Sequence, residues 1–96
     1  MADPKSAVTL RFYDTVSVSP GEVSANASED LVVTCTGLKA NYPVIIWPQT
    51  ALASTWDDVV YMCLGCITAD QLLVRVCNPT GGAITPGAED FSVVQL

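Results

Sequence analysis

Apolar and polar side chains alternate with a period of two along much of this chain, which is the pattern of half-buried strands. From Val8 to Val18 the even positions Val8, Leu10, Phe12, Val16 and Val18 are apolar, while Thr9, Arg11, Tyr13, Thr15 and Ser17 suit water or a sheet edge. Asp14 interrupts the inner face of this long strand. An unpaired carboxylate is costly in a core, so Asp14 is expected at a bulge, or at a bend where the strand passes from one sheet to the other. Ser19-Pro20-Gly21 ends the strand, because proline cannot donate to a central ladder and glycine accepts turn geometry. Leu31 to Thr36 alternates again, with Leu31, Val33 and Cys35 on one face and Gly37 closing it. Apolar runs follow at Tyr42 to Trp47 (stopped by Pro48), Val59 to Ile67, Leu72 to Cys77 and Phe91 to Leu96, with an obvious turn at Asn78-Pro79-Thr80-Gly81-Gly82.

These segments predict an all-β fold, a single antiparallel β-sandwich of about six to eight strands, immunoglobulin-like or a small barrel variant. The domain is expected over residues 8–96, preceded by an N-terminal arm over residues 1–7. Val, Thr and Ile make up more than a quarter of the chain, and such β-branched residues fit a pleated surface better than a helix. The only helical candidate is Gln49 to Asp58, which Pro48 precedes and Ser54-Thr55 weakens, so it is expected as a loop or a single turn.

Half of the 96 residues are hydrophobic, enough for one compact core. Charged residues are only 15%, and 4 Lys+Arg against 10 Asp+Glu give a net charge of −6. Lys5, Arg11, Lys39 and Arg75 are scattered singly, so neither nucleic acid nor an anionic membrane is an expected partner. The chain has no histidine, the usual general base near neutral pH, and no enzymatic activity, cofactor or metal is expected. No run approaches the roughly 20 apolar residues that span a bilayer, and Met1-Ala2-Asp3-Pro4-Lys5 has no signal-peptide core. The expectation is a complete small gene product made in the cytoplasm.

Cys35, Cys63, Cys66 and Cys77 admit three readings: zinc ligands, disulfides or small buried hydrophobes. Cys63-Leu64-Gly65-Cys66 has knuckle spacing, but Cys35 and Cys77 stand apart in different strands, and a thioredoxin-like site would need a helix N-terminus. Cys35 shares parity with Leu31 and Val33 and is expected inside. If Ala69-Asp70 is a two-residue hairpin turn, Cys66 shares a face with Leu73, Arg75 and Cys77, while Cys63 joins Tyr61, Ile67, Leu72, Val74 and Val76. Arg75 marks its own face as the outer one. Cys66 and Cys77 are then exposed but not opposite each other, so a bond within the chain is strained and one to a neighbouring subunit is conceivable. A one-residue change in turn length reverses the assignment of Cys66. The candidate disulfide residues are Cys66, Cys77 and Cys63.

Asp57-Asp58 and Glu89-Asp90 are adjacent acids, which point to opposite faces of a strand and make no catalytic dyad. Asn26-Ala27-Ser28 and Gly81-Gly82 read as turns. Trp47, between Ile46 and Pro48, is expected to seal the core. Trp56, in a polar loop, is expected at a partner contact. Met62 and Leu64 belong with Arg75 on the outer face, so the candidate interface residues are Trp56, Met62, Leu64 and Arg75.

Val18-Ser19-Pro20 with Val23-Ser24-Ala25-Asn26, Val33-Thr34-Cys35-Thr36-Gly37-Leu38, Ile67-Thr68-Ala69-Asp70 and Asn78-Pro79-Thr80-Gly81-Gly82-Ala83-Ile84-Thr85-Pro86 occur in an order that resembles the small β-sandwich virion proteins of tailed bacteriophages. The resemblance covers most of residues 16–96. It implies a non-enzymatic capsid decoration (cement) protein, bound in many copies to the major capsid (coat) protein on the outside of the virion, often as a homotrimer. The relatives usually lack cysteines. The thiols here therefore suggest disulfide cross-links formed after release from the reducing cytoplasm.

Two other classes compete. An immunoglobulin-like carbohydrate or receptor-binding module on a phage tail or fibre would use Trp56, Tyr42 and the acidic loop as a sugar platform. A thiol redox protein would need an accessible, low-pKa Cys66.

Overall fold

Each alternating or apolar run contributes a strand, and the runs that begin at Leu72 and Phe91 become the centres of two sheets. A computed structural model describes residues 12–96, so the expected arm over residues 1–7 and the start of the strand expected from Val8 lie outside the described residues. The elements are β1 (Phe12–Val18), β2 (Ala27–Thr34), β3 (Val44–Pro48), a 3₁₀ turn (Ser54–Trp56), β4 (Val60–Gly65), β5 (Gln71–Asn78) and β6 (Glu89–Gln95). They form two three-stranded antiparallel sheets, β1-β6-β3 and β2-β5-β4. The fold is all-β, a small sandwich in which β1 lies nearest β2 and β3 nearest β4.

The core lies between the two central strands. On β5 the even positions Leu72, Val74 and Val76 are fully buried, and on β6 Phe91 and Val93 meet them. Val16 and Val18 of β1, Val23, Cys35 and Leu38 pack into the same interior, with Trp56, Val59 and Cys66. Burial of such side chains is worth about 1.5–3 kcal/mol each relative to exposure, and this term drives the two sheets together.

Both central strands end in a buried amide. Gln95 closes β6 at one pole and Asn78 closes β5 at the other, and both are almost wholly buried. Asn78 donates to the carbonyls of Val23 (3.0 Å) and Gly82 (2.8 Å) and accepts from the Thr80 amide and hydroxyl. The turn read at Asn78 to Gly82 therefore wraps around its first side chain. Gln95 does the same for the loop at Lys39, with one donor and one acceptor bond to that residue's backbone.

Asp14 corrects the expected bulge. The β1–β6 register runs without a break from Phe12↔Gln95 to Val18↔Glu89, so the strand stays in one sheet. The carboxylate is tolerated because β1 is an edge strand splayed from β2 around an open cleft of about 540 Å³. There Asp14 stays exposed and accepts a 2.7 Å hydrogen bond from the Thr15 amide.

Candidate functional site

The outer face of β1-β6-β3 is built from the residues that alternate against the core. Tyr13 and Ile45 flank Val94, and Thr15 and Trp47 flank Ser92. Flanked by a strand on either side, Val94 and Ser92 are nearly buried although they face outward. Tyr13, Ile45 and Trp47 remain 59%, 49% and 41% exposed. Along one margin Gln49 donates to the Thr15 hydroxyl at 2.8 Å. Among the described residues these two rows carry no charged side chain, and Asp90, opposite Ser17, is the first one met along the face.

Trp47 and Trp56 exchange the roles expected of them. The run Val44 to Trp47 is apolar at every position, so alternation sorts it into two faces without saying which is inner. Val44 and Ile46 turn inward and Trp47 turns out. Trp56 is only 2% exposed, which overturns its expected exposure at a partner contact. The 3₁₀ turn inserts it into the core edge, with its ring centroid 5.8 Å from Phe91 and 6.3 Å from Tyr61. Ala53 N–H donates to Glu89 Oε1 (2.9 Å) and Thr55 Oγ1 to the Pro86 carbonyl (2.6 Å), which holds the turn in place. Polar neighbours hid this plug. Trp56 also cannot serve the sugar platform composed with Tyr42.

The outer face of β2-β5-β4 is the one Arg75 marks. Its rows are Ser28, Cys77 and Val60, then Asp30, Arg75 and Met62, then Val32, Leu73 and Gly65. Arg75 grips Asp30 through both carboxylate oxygens, at 2.6 and 3.0 Å. Those hydrogen bonds hold the Asp30 carboxyl below its ordinary value and raise the guanidinium in turn. Val32, Val60 and Met62 surround the pair and are exposed. Leu64, placed with Met62 by parity, is half-buried at an irregularity where the register slips between Cys63 and Gly65.

That slip also corrects the cysteines. The connection from β4 to β5 spans Cys66 to Asp70, longer than the two-residue turn expected, and it follows the extra residue at Leu64. Parity therefore reverses at Cys66, which is buried, and Ile67 is exposed where it was expected inside. Cys66 donates to the Thr68 carbonyl at 3.1 Å. Cys35 is buried as its parity requires. Burial pushes its thiol up to about 11, with Asp14, Cys66 and Asp70 adding to the effect. Cys63 faces the core, where burial likewise raises its thiol. Cys77 is half-buried on the outer face.

All four thiols are free, so the structure contains no disulfide among Cys66, Cys77 and Cys63. Gly65 pairs with Leu73, which places Cys66 at least four residues, about 13 Å, along β5 from Cys77. No bond within the chain can join those two.

No protein-family model, curated protein or solved structure matches this chain.

Proposed function

We propose that this chain is a non-enzymatic structural subunit of a virion, a capsid decoration protein that docks in many copies on the coat protein through the outer face of β1-β6-β3. The observation that carries the reading is the group Tyr13, Ile45 and Trp47, exposed side by side around an uncharged centre. Aromatic side chains are enriched in interface hot spots, while charged groups are depleted from interface cores. The resemblance of the turn segments to phage virion proteins supplies the identity of the partner. A net charge of −6 suits a subunit whose remaining surface faces solvent and keeps particles apart.

Copy number in purified particles tests the proposal. A decoration protein is present in hundreds of copies, and Trp47→Asp in the folded chain empties the particles of it. A few dozen copies would instead support a tail or fibre module, and complete absence from particles would overturn a virion role.

A further inference from the structure

The second outer face carries information about a different partner. On β2-β5-β4 one cation and one anion lie side by side on adjacent strands, Arg75 on β5 and Asp30 on β2, in the middle row of the sheet. Both are partly open to solvent, with 40% and 51% of their side chains exposed. Around them Val32 (59%), Val60 (53%) and Met62 (42%) leave apolar surface exposed on the same face. Single exposed apolar residues are ordinary, but here three of them share one face with a paired charge.

We propose that this face pairs with the same face of a second copy, about a two-fold axis that runs parallel to the strands between β2 and β5. The charge arrangement selects both the occupant and the axis. A patch with one positive and one negative group side by side is complementary to its own image when the rotation exchanges them. Rotation about the strand direction places Arg75 of each copy over Asp30 of the other. Rotation about an axis across the strands, through the middle row, places Arg75 over Arg75 and is repulsive. Adjacent strands are about 4.8 Å apart and packed sheets about 10 Å, so the exchanged partners fall within reach of an arginine side chain.

The pair becomes a ring of four alternating charges, in which each guanidinium gains a second carboxylate. The same operation sets Val32 over Leu73 and Ser28 over Cys77, and leaves Met62 and Val60 overhanging the edge of the partner's β2. Two chains of net charge −6 repel at a distance, so a locally neutral, self-complementary face is what lets them meet. A two-fold pair of this kind replaces the threefold grouping that the resemblance implies. It uses the face opposite the docking face and points the two docking faces away from each other, so it describes the free chain and does not rest on the docking proposal. Sedimentation of the isolated chain tests it, and particle copy number tests the docking, so either can fail without the other.

The experiment is sedimentation equilibrium of the purified chain over a wide concentration range at low salt. The wild type sediments as a dimer. Arg75→Asp puts two acids on the face and Asp30→Arg puts two cations there, and each weakens the dimer by roughly tenfold or more. An equimolar mixture of the two variants restores a one-to-one heterodimer, which only complementary faces can do. The double swap D30R/R75D in one chain also sediments as a dimer, which decides the matter even where a single variant is poorly folded. A monomeric wild type, an Arg75→Asp variant that stays dimeric, or a double swap that stays monomeric would each overturn the proposal.

Discussion

Gln95 treats the backbone of Lys39 as a neighbouring strand would. Its Oε1 accepts from the Lys39 amide at 2.8 Å, and its Nε2 donates to the Lys39 carbonyl at 2.6 Å, across 56 residues of chain. Gln95 is 0% exposed, so no water competes for these bonds. Gln95→Leu leaves two backbone groups without a partner at the end of the core and is expected to cost about 2–4 kcal/mol. Gln95→Glu retains the acceptor but loses the donor at neutral pH, so it is destabilised at pH 7 and recovers as the pH falls and the new carboxyl takes up a proton. Urea denaturation of the three proteins at two pH values checks both outcomes.

The two tryptophans should separate cleanly in stability. Trp56 is buried against Phe91 and Tyr61, so Trp56→Ala is expected to cost about 3–5 kcal/mol. Trp47 is 41% exposed on an edge strand, and Trp47→Ala should stay within about 1 kcal/mol of wild type. Thermal unfolding measures both. If Trp47→Ala unfolds the protein and Trp56→Ala does not, the assignment of core and surface is wrong.

Cys35 gives the fold a weakness to alkali. Its thiol lies at about 11 in the folded chain against an ordinary value of 9.0, so the native state holds the proton more tightly than the unfolded chain does. Between those values the unfolded state binds fewer protons, and stability falls as the pH rises. The contribution is fully present below about pH 9 and is lost as the pH climbs through about 11. Denaturation series from pH 8 to about 11 should show a shallower decline for Cys35→Val than for wild type; parallel curves would rule the effect out.

Gly37 sits where an added side chain has no room. Its φ is +105°, and a Cβ there would lie 2.8 Å from Cε2 of Phe12. Its amide also donates to Asp70 Oδ1 at 2.8 Å, which joins the turn after β2 to the hairpin between β4 and β5. Gly37→Ala is therefore expected to cost about 1–3 kcal/mol. Gly81→Ala, with open space around it and no left-handed backbone, should be close to neutral in the same calorimetric scan.

The alternation at Leu72 to Val76 was enough to place the core face of β5, because Leu72, Val74 and Val76 are apolar and the other set is mixed, whereas in Phe91 to Leu96 both alternate sets mix apolar and polar residues and gave a strand without a face. Arg75 identified the outer face of its sheet for a similar reason, since a guanidinium is costly to bury unless it is well paired. The helical candidate became only a 3₁₀ turn, as proline and weak propensity predicted. The candidate face on β1-β6-β3 was not legible. Val44 to Trp47 is apolar on both faces, and which face is covered depends on β6, whose residues lie more than 40 positions away.

What the chain determines locally is the period of two, the breaks at proline and glycine, and hence an all-β sandwich. Tertiary structure alone decided that Trp56 is inside and Trp47 outside, that Cys66 turns inward, and that Asp14 stays in one unbroken strand. The physical reason is that parity is a relative signal. An extra residue at Leu64 inverts it without a mark in the composition, and an edge strand can carry a carboxylate that a central strand cannot. Asn78 and Gln95 belong to the same class: two polar residues that look like surface and become the buried ends of the core, because the Lys39 backbone satisfies Gln95, and the Val23 carbonyl together with the Thr80–Gly82 turn satisfies Asn78.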